Sequence, residues 1–162
     1  MTSGTAFCRG WSRLIFPALA VALALQGCAA RLPPTDEAAK TLLIGNWYGE
    51  MACESCGDSD FNLLRWTRMN SADGKQRVHF RYYRDGKIRQ NVIRLGRWGY
   101  RAGTYWLVCE AYHVDGKAQA CPDDRYEFVV ESLNERSMAY RIEKYGVRYT
   151  ARRVSDDYRL TD

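Results

Sequence analysis

Six cysteines, two histidines and two pairs of adjacent aspartates are the residues of this chain that could do more than pack. Cys53 and Cys56 stand at Cys-x-x-Cys spacing, which suits a local disulfide, a redox pair or half of a zinc site. His79 and His113 fall on separate segments, and no serine sits in a recognisable nucleophile motif. Both therefore read as exposed strand residues. Asp123-Asp124 and Asp156-Asp157 lie in turn-like or terminal stretches, where solvated charge is the ordinary role of paired acids, and nothing marks them as a glycosidase pair. No Gly-rich phosphate loop is present. The expectation is a protein that is not an enzyme, with no catalytic residues, no cofactor and no metal.

What the thiols do depends on where the chain resides. Arg9 and Arg13 form a positive n-region, and Leu14 to Leu25 (LIFPALAVALAL) is an apolar run of signal-peptide length, too short to span a bilayer comfortably. Directly after it, Leu25-Gln26-Gly27-Cys28 resembles the lipobox of bacterial lipoproteins. Gln26 departs from the small or β-branched residue usual at its place. The resemblance implies cleavage before Cys28 and acylation of its thiol, so residues 1–27 are an address and the membrane partner is reached through acyl chains. Ala29, which is not the aspartate of inner-membrane retention, implies the periplasmic face of the outer membrane. An ordinary cleaved signal peptide is the alternative.

Export leaves Cys53, Cys56, Cys109 and Cys121 in an oxidising compartment once Cys8 is removed and Cys28 acylated. An even number there argues for two disulfides, with redox and zinc roles as the competing readings. Redox chemistry prefers its motif at a helix N-terminus, whereas Cys53 and Cys56 fall between strands. If Asp115-Gly116 turns a hairpin, Cys109 and Cys121 come nearly opposite each other, which leaves Cys53 and Cys56 to pair locally.

The elements that must position these residues are strands. Residues 28–42 contain the run Arg31 to Thr41 (RLPPTDEAAKT), which has prolines and charges but no apolar period and reads as a lipidated tether; only Glu37 to Leu43 has a trace of helical period. Residues 43–155 break into short apolar-polar alternations. Val78, Phe80 and Tyr82 alternate with Arg77, His79 and Arg81. Tyr126, Phe128 and Val130 alternate with Arg125, Glu127 and Glu131. Met138, Tyr140 and Ile142 oppose Arg141 and Glu143, and Val147, Tyr149 and Ala151 oppose Arg148, Thr150 and Arg152. Asp73-Gly74, Asp85-Gly86 and Asp115-Gly116 tolerate the positive φ of tight turns between such segments. Further strands fall at Leu43 to Met51, Asn62 to Met69, Lys87 to Leu95, Arg97 to Arg101 and Tyr105 to Val114, the one at 97–101 being short and continuous with its neighbour or separate from it. About eight to nine segments in an antiparallel meander close into a β-barrel, because closure removes exposed edges. Residues 156–162 form a C-terminal tail.

The formal charge of +5 falls by two when Arg9 and Arg13 leave with the signal. Lysine and arginine then alternate with aromatic residues instead of clustering, which argues against nucleic acid as a partner.

Leu43-Ile44-Gly45-Asn46-Trp47-Tyr48-Gly49 resembles the Gly-x-Trp signature on the first strand of lipocalin-like domains. Tyr149-Thr150-Ala151-Arg152-Arg153-Val154 resembles their closing strand. The resemblance implies an all-β, lipocalin-like barrel in which Arg153 covers Trp47, an arrangement that cation–π attraction supports in its own right. The Thr-Asp-Tyr motif and long C-terminal helix of full-sized lipocalins are missing, so a shortened relative fits better. It further implies an interior for a small apolar or amphipathic ligand, with Phe80, Tyr82, Trp98, Tyr126, Phe128, Tyr140 and Tyr149 as lining residues. The alternative is an interior filled by those same side chains, leaving an envelope structural or protein-interaction module similar in kind to the periplasmic lysozyme inhibitors. The basic balance has the wrong sign for steering toward a cationic enzyme.

Overall fold

The computed structural model describes residues 35–52, 60–123 and 125–160. In chain order, a helix α1 (Asp36–Leu43) precedes strands β1 (Gly45–Ala52), β2 (Leu63–Asn70), β3 (Lys75–Arg84), β4 (Lys87–Arg101), β5 (Thr104–Val114), β6 (Lys117–Gln119), β7 (Arg125–Leu133), β8 (Ser137–Ile142) and β9 (Val147–Val154). Strands β1 to β6 pair antiparallel in chain order, β7 skips β6 to pair with β5, β8 and β9 follow in turn, and β9 returns to β1. Eight strands thus form a closed up-and-down barrel, and β6 is a ninth strand appended beside β5. Closure leaves the ring without an exposed edge.

Alternation builds the core. Trp47 on β1, Leu64 and Trp66 on β2, Val78 on β3, Leu107 on β5 and Phe128 on β7 all turn inward and are buried. The opposite faces carry ion pairs such as Arg148–Glu131 (2.6 Å) and Arg97–Glu110 (3.0 Å), which are solvated and contribute little. The tight turns expected at Asp85-Gly86 and Asp115-Gly116 have positive φ at both residues. A third such turn, Ala102-Gly103, lacks the usual acidic or amide residue. Its exposed Ala102 N–H is instead accepted by Asp36 Oδ1 of α1 at 2.9 Å.

One stretch decides an alternative the sequence left open, and a second corrects the sequence reading. The segments at 87–95 and 97–101 are one 15-residue strand. Gly96 permits this: a Cβ there would lie 1.9 Å from the Val108 carbonyl oxygen, where the register against β5 shifts and leaves Glu110 as the extra residue. The bulge bends the long strand so that it can serve two neighbours. The run read as a tether is helical from Asp36 onward. Thr35 caps it by accepting from the Ala38 N–H at 3.1 Å, Asp36 and Glu37 favour its N-terminal turn, and Ala39 and Leu43 at i, i+4 are fully buried.

Cys109 and Cys121 form a disulfide with Cα atoms 6.0 Å apart, as the Asp115-Gly116 turn leads one to expect. It ties the exposed β6 arm to β5 and closes a short loop. Replacing both cysteines with serine is expected to cost about 3 kcal/mol by the loop-entropy argument. Urea unfolding followed by circular dichroism should show a lowered midpoint with the barrel signal intact; complete loss of strand signal would contradict a peripheral role. Cys28, Cys53, Cys56 and Asp124 lie outside the described residues.

Candidate functional site

The barrel has one plugged end. Helix α1 lies across it, and its last carbonyl groups are taken by the barrel floor. Leu43 O accepts from Trp47 Nε1 at 3.0 Å and from Asn70 Nδ2 at 2.9 Å. Arg153 donates through Nη1 to Ile44 O at 2.6 Å, through Nη2 to Leu42 O and through Nε to Glu135 O at 2.7 Å. Its guanidinium carbon lies 4.5 Å from the centroid of the Trp47 ring. Trp47 and Arg153 face each other in register on β1 and β9, so the pair joins the first strand to the last.

A polar chain climbs from this floor into the interior. Asn70 Oδ1 accepts from Gln76 Nε2 at 2.8 Å and from Tyr105 Oη at 3.2 Å, and Gln76 Nε2 also donates to the Tyr105 hydroxyl oxygen. Above it sits Arg68, only 2% exposed. Its Nη2 donates to Tyr140 Oη at 3.1 Å, and its guanidinium carbon is 4.9 Å from the Tyr105 ring, 4.8 Å from Tyr140 and 5.5 Å from Phe128. Arg94, 6% exposed, lies 4.4 Å from the Tyr126 ring and 5.2 Å from Phe80.

These groups bound a cavity of about 160 Å³ in the half of the barrel away from α1. Of the seven aromatic residues expected to line an interior site, Phe80, Tyr82, Tyr126, Phe128, Tyr140 and Tyr149 border this cavity. Trp98 does not. It packs in the core near α1 with Nε1 donating to Ser71 O at 3.0 Å, because β4 carries it past the cavity to the plugged end. Arg68 and Arg94, which the sequence reading did not single out, are the cavity's charged residues, joined by Leu64, Trp66 and Ile142. Burial raises the Tyr105, Tyr140 and Tyr149 phenols and pushes Tyr82 up to about 12. All four are neutral at pH 7.

The remaining expected groups are not brought together. His79 Nε2 meets Asn91 Oδ1 at 2.8 Å in partial burial outside the cavity, and His113 pairs in register with Ala118 beside β6. Asp156 accepts from Asn46 Nδ2 at 3.1 Å near the chain's end. Among the described residues no group of three or more histidine, cysteine or acidic side chains is placed to hold a metal.

Fold and interior together define a small closed β-barrel, plugged at one end and cationic and aromatic within, an architecture compatible with a lipocalin-like barrel. No family model matches the chain, and no curated protein matches it.

Proposed function

We propose that this is a non-catalytic binding protein that takes a small amphipathic molecule into the barrel, and that it is exported as a lipoprotein and held by acyl chains on Cys28 at the periplasmic face of the outer membrane. The single observation that carries the binding role is the 160 Å³ space lined by aromatic side chains and two polar heads. Apolar walls with a few placed polar groups are the usual make-up of a small-molecule site. The volume is below the range of drug-sized pockets, which restricts the enclosed part of the ligand to roughly five water-sized groups. Native mass spectrometry of the full chain carrying Cys28→Ser should show a bound small molecule. A barrel that emerges empty and that no amphiphile saturates would count against the proposal.

The anchor rests on the Leu25-Gln26-Gly27-Cys28 resemblance and on the acylation it implies. More than one acyl chain makes membrane attachment durable, whereas one alone binds marginally. Cys28→Ser is expected to move most of the protein from the membrane fraction to the soluble fraction on cell fractionation. Unchanged membrane association would rule the acyl anchor out.

The small size of the cavity favours a second reading, an envelope interaction module. On that reading the contact surface is the outer groove of about 770 Å³ bordered by α1, Trp98, Trp106 and the Ala102-Gly103 turn.

A further inference from the structure

Arg68, Val78 and Arg94 form one cross-strand row over β2, β3 and β4, since Arg68 is in register with Val78 and Val78 with Arg94. All three are buried on the inner face, so two guanidinium groups enter one interior from strands roughly 9–10 Å apart. None of the ion pairs among the described residues includes either of them. Arginine does not shed its proton in proteins, and the surrounding phenols are neutral. The ring faces attract the cations but carry no net charge. Arg68 Nε and Nη1 and Arg94 Nε are buried without a hydrogen-bond acceptor, although each belongs to a residue bordering the cavity. Burial and then the charge of Arg68 lower the pKa of Arg94, whereas at Arg68 the effect of burial is more than offset by Tyr105 and Tyr140, which raise its pKa.

Among the described residues this interior presents two cations, no carboxylate and, with Trp66 Nε1, four nitrogen donors without an acceptor, a set that suits an anion. We propose that the cavity binds the oxyanion head of an amphiphile, a carboxylate or a phosphate monoester, between Arg68 and Arg94, with the tail leaving past Leu64, Phe80, Tyr82 and Ile142. This rests on the amphiphile-binding reading above and adds the chemistry of the head. The guanidinium fork matches the geometry of carboxylate and phosphate oxygens. Cavity size makes the tail short or directs it to the end of the barrel away from α1.

The test titrates the full chain carrying Cys28→Ser with decanoate, decyl phosphate and 1-decanol, using calorimetry. At least one anion is expected to bind 30-fold or more tightly than the alcohol, and the stronger of the two identifies the head. Arg94→Met should weaken anion binding at least tenfold and leave 1-decanol within threefold. If the alcohol binds as tightly as both anions, charge recognition is overturned and amphiphile binding stands. If none of the three binds, both readings fall. An anion preference that survives Arg94→Met and Arg68→Met would remove these arginines from the site. Should either variant fail to fold, the comparison of anion with alcohol on the unsubstituted interior still decides the proposal.

Discussion

Trp47→Ala is expected to lower the unfolding free energy by about 4 kcal/mol, a large part of the roughly 5–15 kcal/mol that keeps a domain folded. The indole is fully buried where the barrel floor meets α1, and it supports three things at once. Its Nε1 donates to Leu43 O, its face carries the Arg153 guanidinium, and its strand is the one to which β9 returns. Truncation leaves a cavity beneath Arg153, and that cation already sits in a partly desolvated place that lowers its pKa. Gly45 shows how tight the junction is: its φ is +115°, and a Cβ there would lie 2.4 Å from Arg153 Nη1. Urea denaturation of wild type, Trp47→Ala and Arg153→Lys would check the prediction. Arg153→Lys should cost less, since an ammonium keeps the charge and loses the fork that serves Leu42 O, Ile44 O and Glu135 O. A Trp47→Ala midpoint equal to wild type would show that the floor does not hold the barrel closed.

The strands were legible because most of them are buried on one face only. Tyr126, Phe128 and Val130, or Val147, Tyr149 and Ala151, announce their inner face against charged neighbours, and the Gly-x-Trp and closing-arginine segments lie beside each other in register. The buried arginines were not legible by the same rule, which assigns arginine to the solvent. In β2 and β4 the rule inverts: Arg68 and Arg94 are inside, whereas Met69 and Leu95 are exposed. The phase was available, since Leu64 and Trp66 on β2, and Val92, Trp98 and Tyr100 on β4, are inward residues two, four or six places away. Following a strand's phase through a charge finds such residues; judging each residue by type does not. The helix, legible only as a trace of period at Glu37 to Leu43, and the Ala102-Gly103 turn, which was missed, escaped for another reason. An eight-residue helix is marginal alone and is held by docking Ala39 and Leu43, and the turn's N–H is satisfied by Asp36, 66 residues away in the chain. Neither partner is visible in the local sequence.

Arg68→Met is expected to stabilise the empty barrel by about 2 kcal/mol, the reverse of what loss of a buried hydrogen-bonding residue usually does. A charge taken out of water costs several kcal/mol when no opposite charge meets it. Three aromatic faces and the Tyr140 hydroxyl offset part of that cost, at roughly 1 kcal/mol for each favourable contact. Methionine would occupy much of the same volume, keep contact with Tyr105, Phe128 and Tyr140, and leave only the Tyr140 oxygen short of a donor. Thermal unfolding should rise by several degrees, with roughly 3–5 °C for each kcal/mol in a domain of this length. A fall of more than about 1 kcal/mol would mean that the ring cage alone makes the cation favourable, and that Arg68 is part of the packing. A gain, accompanied by weaker binding of decanoate or decyl phosphate, would show a residue that costs the fold stability and repays it only when an anion enters.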